Sequence, residues 1–241
     1  MAKKKETDVL INELLNWDST TREAAAQELG QRVAEEAIDS LLQALKDDNS
    51  ADVRAAAARA LGRFFDYDQI PEHLLKALAK ETSAIVRIAI ATSIGKFENS
   101  EIAEELLPLL KLEQSYWVRE TILEVFGKID PEKFSETLAE HILNDPSDEV
   151  RIQAALSLSK GADSDIRSKI IQAFKNEKSD EVKSHIAQVL TQFPDKEIVN
   201  LLAQAIEDEN FKLTQAASAE ALHVIAQKMG YEDENELFDS I

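Results

Sequence analysis

SADVRAAAARALGRF occupies residues 50–64, and the chain says nearly the same thing again at regular distances. SAIVRIAIATSIGKF follows at 83–97, SYWVRETILEVFGKI at 115–129, SDEVRIQAALSLSKG at 147–161 and SDEVKSHIAQVLTQF at 179–193. A degenerate earlier copy, STTREAAAQELGQRV, covers 19–33, and a diverged last copy begins near Asn210. One basic residue marks the same place in each: Arg22, Arg54, Arg87, Arg119, Arg151 and Lys183, spaced by 32 or 33 residues. Self-similarity at this period predicts an all-α solenoid, in which helix pairs too small to bury their own apolar faces stack on one another. Such an array has no central core, so the 241 residues are expected to form a single elongated domain over 1–241. Within it we expect a capping helix in 1–17, repeats over 18–230 and an acidic cap or tail over 231–241.

The composition agrees. Hydrophobic residues make up 44% and charged residues 30%, while 6 Gly and 5 Pro leave most of the length open to helix. The formal net charge is −19, from 27 basic and 46 acidic side chains. That field repels phosphate backbones and anionic lipid and favours basic partners. With no Cys, disulfides, thiolate catalysis and cysteine metal sites are excluded. MAKKKETD lacks the apolar centre of a signal sequence, and no apolar run approaches the length of a spanning helix. A cytoplasmic location is the expectation.

Each repeat reads as two helices. Helix A is expected to start at Ser50, Ser83, Ser115, Ser147 or Ser179, whose hydroxyls suit an N-cap. Val53, Ala57, Leu61 and Phe64 then form one stripe, as do Val86, Ile90, Ile94 and Phe97. Gly30, Gly62, Gly95 and Gly127 share one register, where glycine allows either tight packing or a C-terminal turn. Helix B is expected to open with proline at Pro71, Pro131 and Pro194. It carries a paired Leu or Ile and an apolar residue three on, as in Leu41-Leu42-Leu45 and Leu74-Leu75-Leu78. With a lone leading helix at about 7–16, this predicts about 14 helices. The last A helix is expected over roughly 210–229, ending at Gly230, followed by YEDENELFDSI with Leu237, Phe238 and Ile241.

Six residues before most of the repeated bases lies an acid: Asp48 before Arg54, Glu81 before Arg87, Glu113 before Arg119, Asp145 before Arg151 and Glu177 before Lys183. At the two ends the pattern breaks, with Asn16 before Arg22 and Thr214 after Asp208. The acid falls at the end of one B helix and the base in the first turn of the next A helix, so stacking interleaves the two signs along one edge. We read this row as structural, bridging units and satisfying helix-terminal groups, because the matched acids neutralise what would otherwise be an anion-binding strip.

The phrase, seen as Asp48 to Gly62 and Glu81 to Gly95, resembles HEAT repeats, and within them the HEAT-like class named after phycobilisome lyases. The resemblance runs from about Asp18 to Gly230. It implies an all-α, right-handed α-solenoid of about seven HEAT-like helix-pair repeats. It does not imply one activity, because the class holds protein-binding scaffolds, bilin lyases, deoxyhypusine hydroxylases and alkylpurine DNA glycosylases. The hydroxylase branch holds two irons with His-Glu dipeptides. This chain has only the reverse order, Glu72-His73 and Glu140-His141, two repeats apart, and His185 and His223 do not complete a set. The glycosylase branch relies on a basic groove, which the net charge opposes. The lyase branch offers no short motif to match. Phosphate loops, nucleophile elbows and His/Cys metal spacings are missing from the sequence.

Catalytic residues, metal ligands and cofactors are therefore expected to be none, and nucleic acid and membrane are not expected partners. The resemblance implies that B helices line a concave, acidic face. Outward B-helix positions there are His73, Lys76, Glu104, Glu105, Pro108, Leu109, Leu112, Glu136, Glu140, His141 and Leu143. Leu109, Leu112 and Leu143 are apolar where other repeats carry Ala, Lys or Asn, which suits either a partner patch or contact with the adjacent repeat. Tyr116-Trp117 stands where other copies have Ala51-Asp52, Ala84-Ile85, Asp148-Glu149 and Asp180-Glu181. The pair reads as an interface anchor or as packing between repeats. The favoured function is a non-enzymatic scaffold that binds a protein or peptide, with a bilin lyase-like or chaperone-like protein as the alternative.

Overall fold

The computed structural model describes residues 2–232 and 236–238. Among these, every regular element is a helix. The chain divides into two compact units, Met1–Val125 and Phe126–Ile241. The first holds α1 (Ala2–Glu13), α2 (Ser19–Arg32), α3 (Ile38–Asp47), α4 (Ala51–Leu61), α5 (Ile70–Leu78), α6 (Ala84–Gly95), α7 (Ser100–Glu104) and α8 (Leu107–Leu112). The division falls within α9 (Tyr116–Ile129). The second unit continues with α10 (Ser135–Asn144), α11 (Asp148–Leu158), α12 (Arg167–Asn176), α13 (Asp180–Leu190), α14 (Lys196–Ile206) and α15 (Lys212–Met229). Short 3₁₀ turns at Glu35–Ala37 and Ser164–Ile166 lead into α3 and α12.

The architecture is an α-solenoid of repeated helix pairs. Within the first unit the A helices α2, α4 and α6 stack in order; within the second, α11, α13 and α15 do. The B helices lie chiefly on the A helix that follows them, α3 on α4, α5 on α6, α10 on α11 and α14 on α15, while α12 lies against α10 and α13 alike. Helix α1 lies on α2 in the same way. The sequence pattern suggests an A-then-B repeat preceded by a lone cap, whereas the packed pair is B-then-A and α1 is the B helix of the first pair.

The apolar stripes explain the stacking. Val53, Ala57, Leu61 and Phe64 are buried, as are Val86, Ile90 and Ile94, while Phe97 is half-buried edge-on to Phe65. On the B helices of the first unit the first residue of the Leu pair and the apolar residue after it are buried: Leu41 and Leu45, Leu74 and Leu78, and Leu106 and Leu110. The second of the pair, Leu42, Leu75 or Leu107, is half-buried.

The glycine register is a packing device. A Cβ on Gly62 would lie 2.6 Å from Ser93 Cβ, on Gly127 2.3 Å from Ser157 Cβ, and on Gly30 2.6 Å from Ala60 Cα. The A helices approach so closely that only hydrogen fits. Ser93, fully buried opposite Gly62, donates its hydroxyl to the Ala58 carbonyl at 2.9 Å and so ties α6 to α4. The left-handed turn is used once among the glycines, at Gly230 (φ 88), which ends α15 at the expected place.

Three local expectations change. Ser50, Ser83, Ser147 and Ser179 hold the N-cap position with extended backbone, but their hydroxyls make no capping bond. A carboxylate two residues earlier accepts each serine's own N–H instead, as described below. Side-chain caps come from Asp18 to Thr21 N, Asn99 to Glu101 N and Ile102 N, and Asp195 to Ile198 N. Pro71 lies in the first turn of α5, but Pro131 stands four residues before α10 and Pro194 just ahead of the Asp195 cap. The proline with the largest effect is Pro108. It has no N–H to give and its ring crowds the carbonyl four residues back, so α7 ends at Glu104 and the B helix of that repeat is split in two, bringing the α-helices to fifteen among the described residues. Past Gly230, Leu237 is buried and Phe238 exposed. Ile241 and the acidic residues around 233–235 lie outside the described residues, as do the side chains of Lys3-Lys4-Lys5.

Candidate functional site

The repeated bases and acids form a ladder, but not between residues six apart. Arg22 binds the Asp48 carboxylate (Nε–Oδ2 2.6 Å, Nη2–Oδ1 2.8 Å), 26 residues on. Arg54 binds Glu81 at 2.8 and 2.9 Å, Arg87 binds Glu113 at 2.7 Å through both nitrogens, and Arg151 binds Glu177 at 2.9 and 3.3 Å. Each of these four arginines thus reaches the acid of the next repeat in a forked geometry. The residue six before the base contributes only its backbone carbonyl: Asp48 O to Arg54 at 2.9 Å, Glu81 O to Arg87 at 3.4 Å, Glu113 O to Arg119 at 3.3 Å, Asp145 O to Arg151 at 2.9 Å. Asn16 does this equally well, at 2.9 Å to Arg22, so the array is intact where the sequence pattern looked broken.

Each acid also accepts the N–H two residues on. Asp48 takes it from Ser50 (2.8 Å), Glu81 from Ser83 (2.8 Å), Glu113 from Ser115 (2.8 Å), Asp145 from Ser147 (3.0 Å) and Glu177 from Ser179 (2.9 Å). Asn16 copies this too, accepting from Asp18 N at 2.9 Å. Burial pushes the carboxyls of Asp48, Glu81 and Glu113 up. The arginine hydrogen bonds, the serine amide and the arginine charge outweigh it, and all three lie below their ordinary values. The last base departs: Lys183 lies 5.2 Å from the Phe174 ring and 4.4 Å from that of Phe211. Three residues before it on α13, Asp180 caps α15, accepting from Leu213 N and Thr214 N at 2.9 Å and from the Thr214 hydroxyl at 2.8 Å.

The ladder consumes its own charges, so the open surface lies elsewhere. In the first unit the A helices close on one another through glycine, alanine and serine, whereas α3 and α5 leave grooves between them. One, of about 670 Å³, is lined by Asp39, Leu42, Gln43, Leu45, Lys46, Asp47, His73, Lys76, Ala77, Lys80 and Glu81. Beside it a second, of about 530 Å³, runs from Glu35 and Ile38 past Tyr67 to His73. The structure thus brings His73 and Lys76 together in one groove, with Lys76 held 2.6 Å from Glu72. The groove is mixed in charge rather than uniformly acidic. The Tyr67 hydroxyl is pushed up to about 12, first by its hydrogen bond to Glu35, then by burial and the acids around it.

The Tyr116 and Trp117 rings lie against each other at a tilt of 32° with centroids 4.5 Å apart, and Trp117 is 56% exposed. Leu112 is 78% exposed, Leu109 half-buried and Glu105 exposed, all in the first unit. In the second, Leu143 is half-buried and Glu140 and Glu136 are bridged by Lys169, at 2.6 Å to Glu140. His141 is half-buried with Nδ1 2.9 Å from the Thr137 carbonyl. Pattern reading overlooks Leu15, 81% exposed, and Trp17, 92% exposed. Their signal is present in LINELLNW: Leu14 and Leu15 are adjacent, which spreads apolar residues over a wider arc than one neighbouring helix can cover.

Among the described residues no helix is long and apolar enough to cross a membrane. No curated protein matches the chain. Among solved structures, Escherichia coli YibA aligns at 20% identity over 97% of this chain and 90% of its own, with TM-score 0.65. The CpcE–CpcF complex of phycocyanin lyase from Nostoc sp. PCC7120 aligns at 20% identity over 97% and 92%, with TM-score 0.54. Human deoxyhypusine hydroxylase aligns at 20% over 100% and 94%, with TM-score 0.47. At this identity the first two likenesses speak to fold alone. The model for HEAT repeats matches residues 7–72, 71–159 and 167–236, nearly the whole length; the chain belongs to the HEAT-repeat family.

Proposed function

We propose that this protein is a non-enzymatic scaffold that binds a protein or peptide on the B-helix face of its first unit. The observation that carries this reading is the contrast between the two sides of the array. The A side is closed by glycine and serine contacts down to 2.3–2.6 Å, had a Cβ been present. The B side opens into grooves of about 670 and 530 Å³ with apolar side chains among their walls; the larger carries both signs of charge, and the smaller is acidic, lined by Glu35, Asp39, Asp66 and Asp68. Grooves of this size, with apolar side chains and polar groups to orient a ligand, suit a peptide segment. The exposed Trp117, its ring against that of the half-buried Tyr116, supplies an aromatic anchor of the kind that carries interface energy. The lyase-like alternative draws on fold alone, and fold does not carry activity.

Selection of a displayed peptide library on the purified chain tests this. We expect enriched sequences whose affinity, measured by calorimetry, falls at least about tenfold with Lys76→Glu or Trp117→Ala. If nothing is enriched, or if neither substitution changes affinity, the proposal is wrong.

A further inference from the structure

A third groove lies between the end of α1 and α3, of about 390 Å³, lined by Ile11, Leu14, Leu15, Asp39, Ser40, Gln43, Ala44, Asp47 and Asp48. Its floor is apolar and its only charged lining residues are aspartates. Asp48 is already engaged by Arg22, but Asp39 and Asp47 stand on the exposed face of α3. The nearest cation, Lys46, is 3.7 Å from Asp47 and 76% exposed, a weak pair that does not cancel the rim. Two residues beyond Leu15 stands Trp17, the most exposed large apolar side chain described. Its backbone is not loose: Arg22 Nη1 donates to the carbonyls of Asn16 at 2.9 Å and Trp17 at 3.1 Å. The first arginine of the ladder therefore holds the turn that displays the indole, so little ordering remains to be done when a partner covers it.

We propose that this groove binds a basic amphipathic segment of another protein. Resting on the scaffold reading above, this places the partner on α1 and α3 and gives its chemistry. Leucine-like side chains of the partner sit against Ile11, Leu14, Leu15 and Ala44; its lysines or arginines face Asp39 and Asp47; Trp17 closes over one end. Charge complementarity selects this occupant. An acidic segment meets the carboxylates of Asp39 and Asp47, whose charge the exposed Lys46 only weakly offsets, on a chain of net charge −19, and a second copy of this chain carries the same charge.

The test uses the full chain with both of its 2 tryptophans, measures binding by calorimetry, and reads Trp17 emission as the difference between this chain and its Trp17→Phe variant. The probe is a synthetic amphipathic helix of leucine and lysine, with a leucine–glutamate helix as its counterpart. Binding of the lysine peptide should shift Trp17 emission to the blue, lower its quenching by acrylamide and saturate. The glutamate peptide should do none of these. Leu15→Glu, at a position open enough to leave the far-UV melt unchanged, should weaken binding about tenfold although it adds a negative charge. A generic attraction to an acidic protein would instead be strengthened. Asp39→Lys with Asp47→Lys should weaken binding and flatten its salt dependence. Binding that is absent, or that Leu15→Glu leaves unchanged or improves, overturns the proposal. If Lys76→Glu abolishes binding and Leu15→Glu does not, the partner lies between α3 and α5 and the scaffold reading stands without this placement. Concentration-dependent shielding of Trp17 without peptide would make the groove a self-interface and equally overturn it.

Discussion

Removal of the Arg54 guanidinium, as in Arg54→Met, tests what a rung of the ladder contributes. The side chain makes two bonds to Glu81, at 2.8 and 2.9 Å, and one to the Asp48 carbonyl at 2.9 Å. Glu81 is 8% exposed and Arg54 16%, so water cannot readily replace either partner. In the variant the Glu81 carboxylate keeps only backbone amides, that of Ser83 at 2.8 Å and that of Thr82, and no cation. An exposed pair would lose about 0–1 kcal/mol and a fully buried one about 3–5 kcal/mol. Three hydrogen bonds at an intermediate depth place the loss at about 2–4 kcal/mol. Glu81→Gln should cost less, because the neutral amide tolerates the lack of a cation. The double variant should cost clearly less than the sum of the two, since neither leaves a buried charge stranded. The assay is urea unfolding of the four proteins, with hydrogen exchange in α4 and α6 to localise the effect, because stacked repeats need not unfold in one step. Additive losses, or a loss under about 0.5 kcal/mol for Arg54→Met, would refute the claim that the rungs couple adjacent repeats.

Gly62→Ala places a Cβ 2.6 Å from Ser93, so despite the better helix propensity of alanine it should cost about 1–3 kcal/mol in a thermal melt; Gly161→Ala, whose nearest neighbour is at 3.4 Å, should be close to neutral. Asp48, Glu81 and Glu113 have carboxyls below their ordinary values in the fold, so the stability they contribute is full above the unfolded value of about 4 and is lost as pH falls through the lower folded values. Circular dichroism should therefore show a steep acid transition below about pH 4, which Arg54→Met shifts upward. Lys183→Met removes the cation between Phe174 and Phe211 and should lower stability by about 0.5–2 kcal/mol, while leaving the melt insensitive to salt at that site.

Some of this was legible in the chain and some was not, and the dividing line is physical. A basic residue every 32 or 33 positions, apolar stripes at helical spacing and Gly230 after a long amphipathic run are local or periodic facts, and they specify paired helices, their stacking and the end of α15. The same periodicity is silent about register: an acid six residues before one base is also 26 or 27 residues after another, and only stacking shows that the carboxylate takes the distant base while the carbonyl takes the near one. Hence Asn16, which reads as a broken rung, serves fully, since its position needs a carbonyl and an acceptor but no charge. The role of glycine was likewise left open between a turn and a close approach, and the 2.6 Å distance from Gly62 to Ser93 decided it. Leu15 and Trp17 look like the apolar face of an ordinary capping helix until the packed pairs show which side of α1 is covered and which is left to solvent. Periodicity is a property of the chain and survives without coordinates. Partnership between repeats and exposure at a groove are properties of three-dimensional neighbours, and those exist only once the helices have stacked.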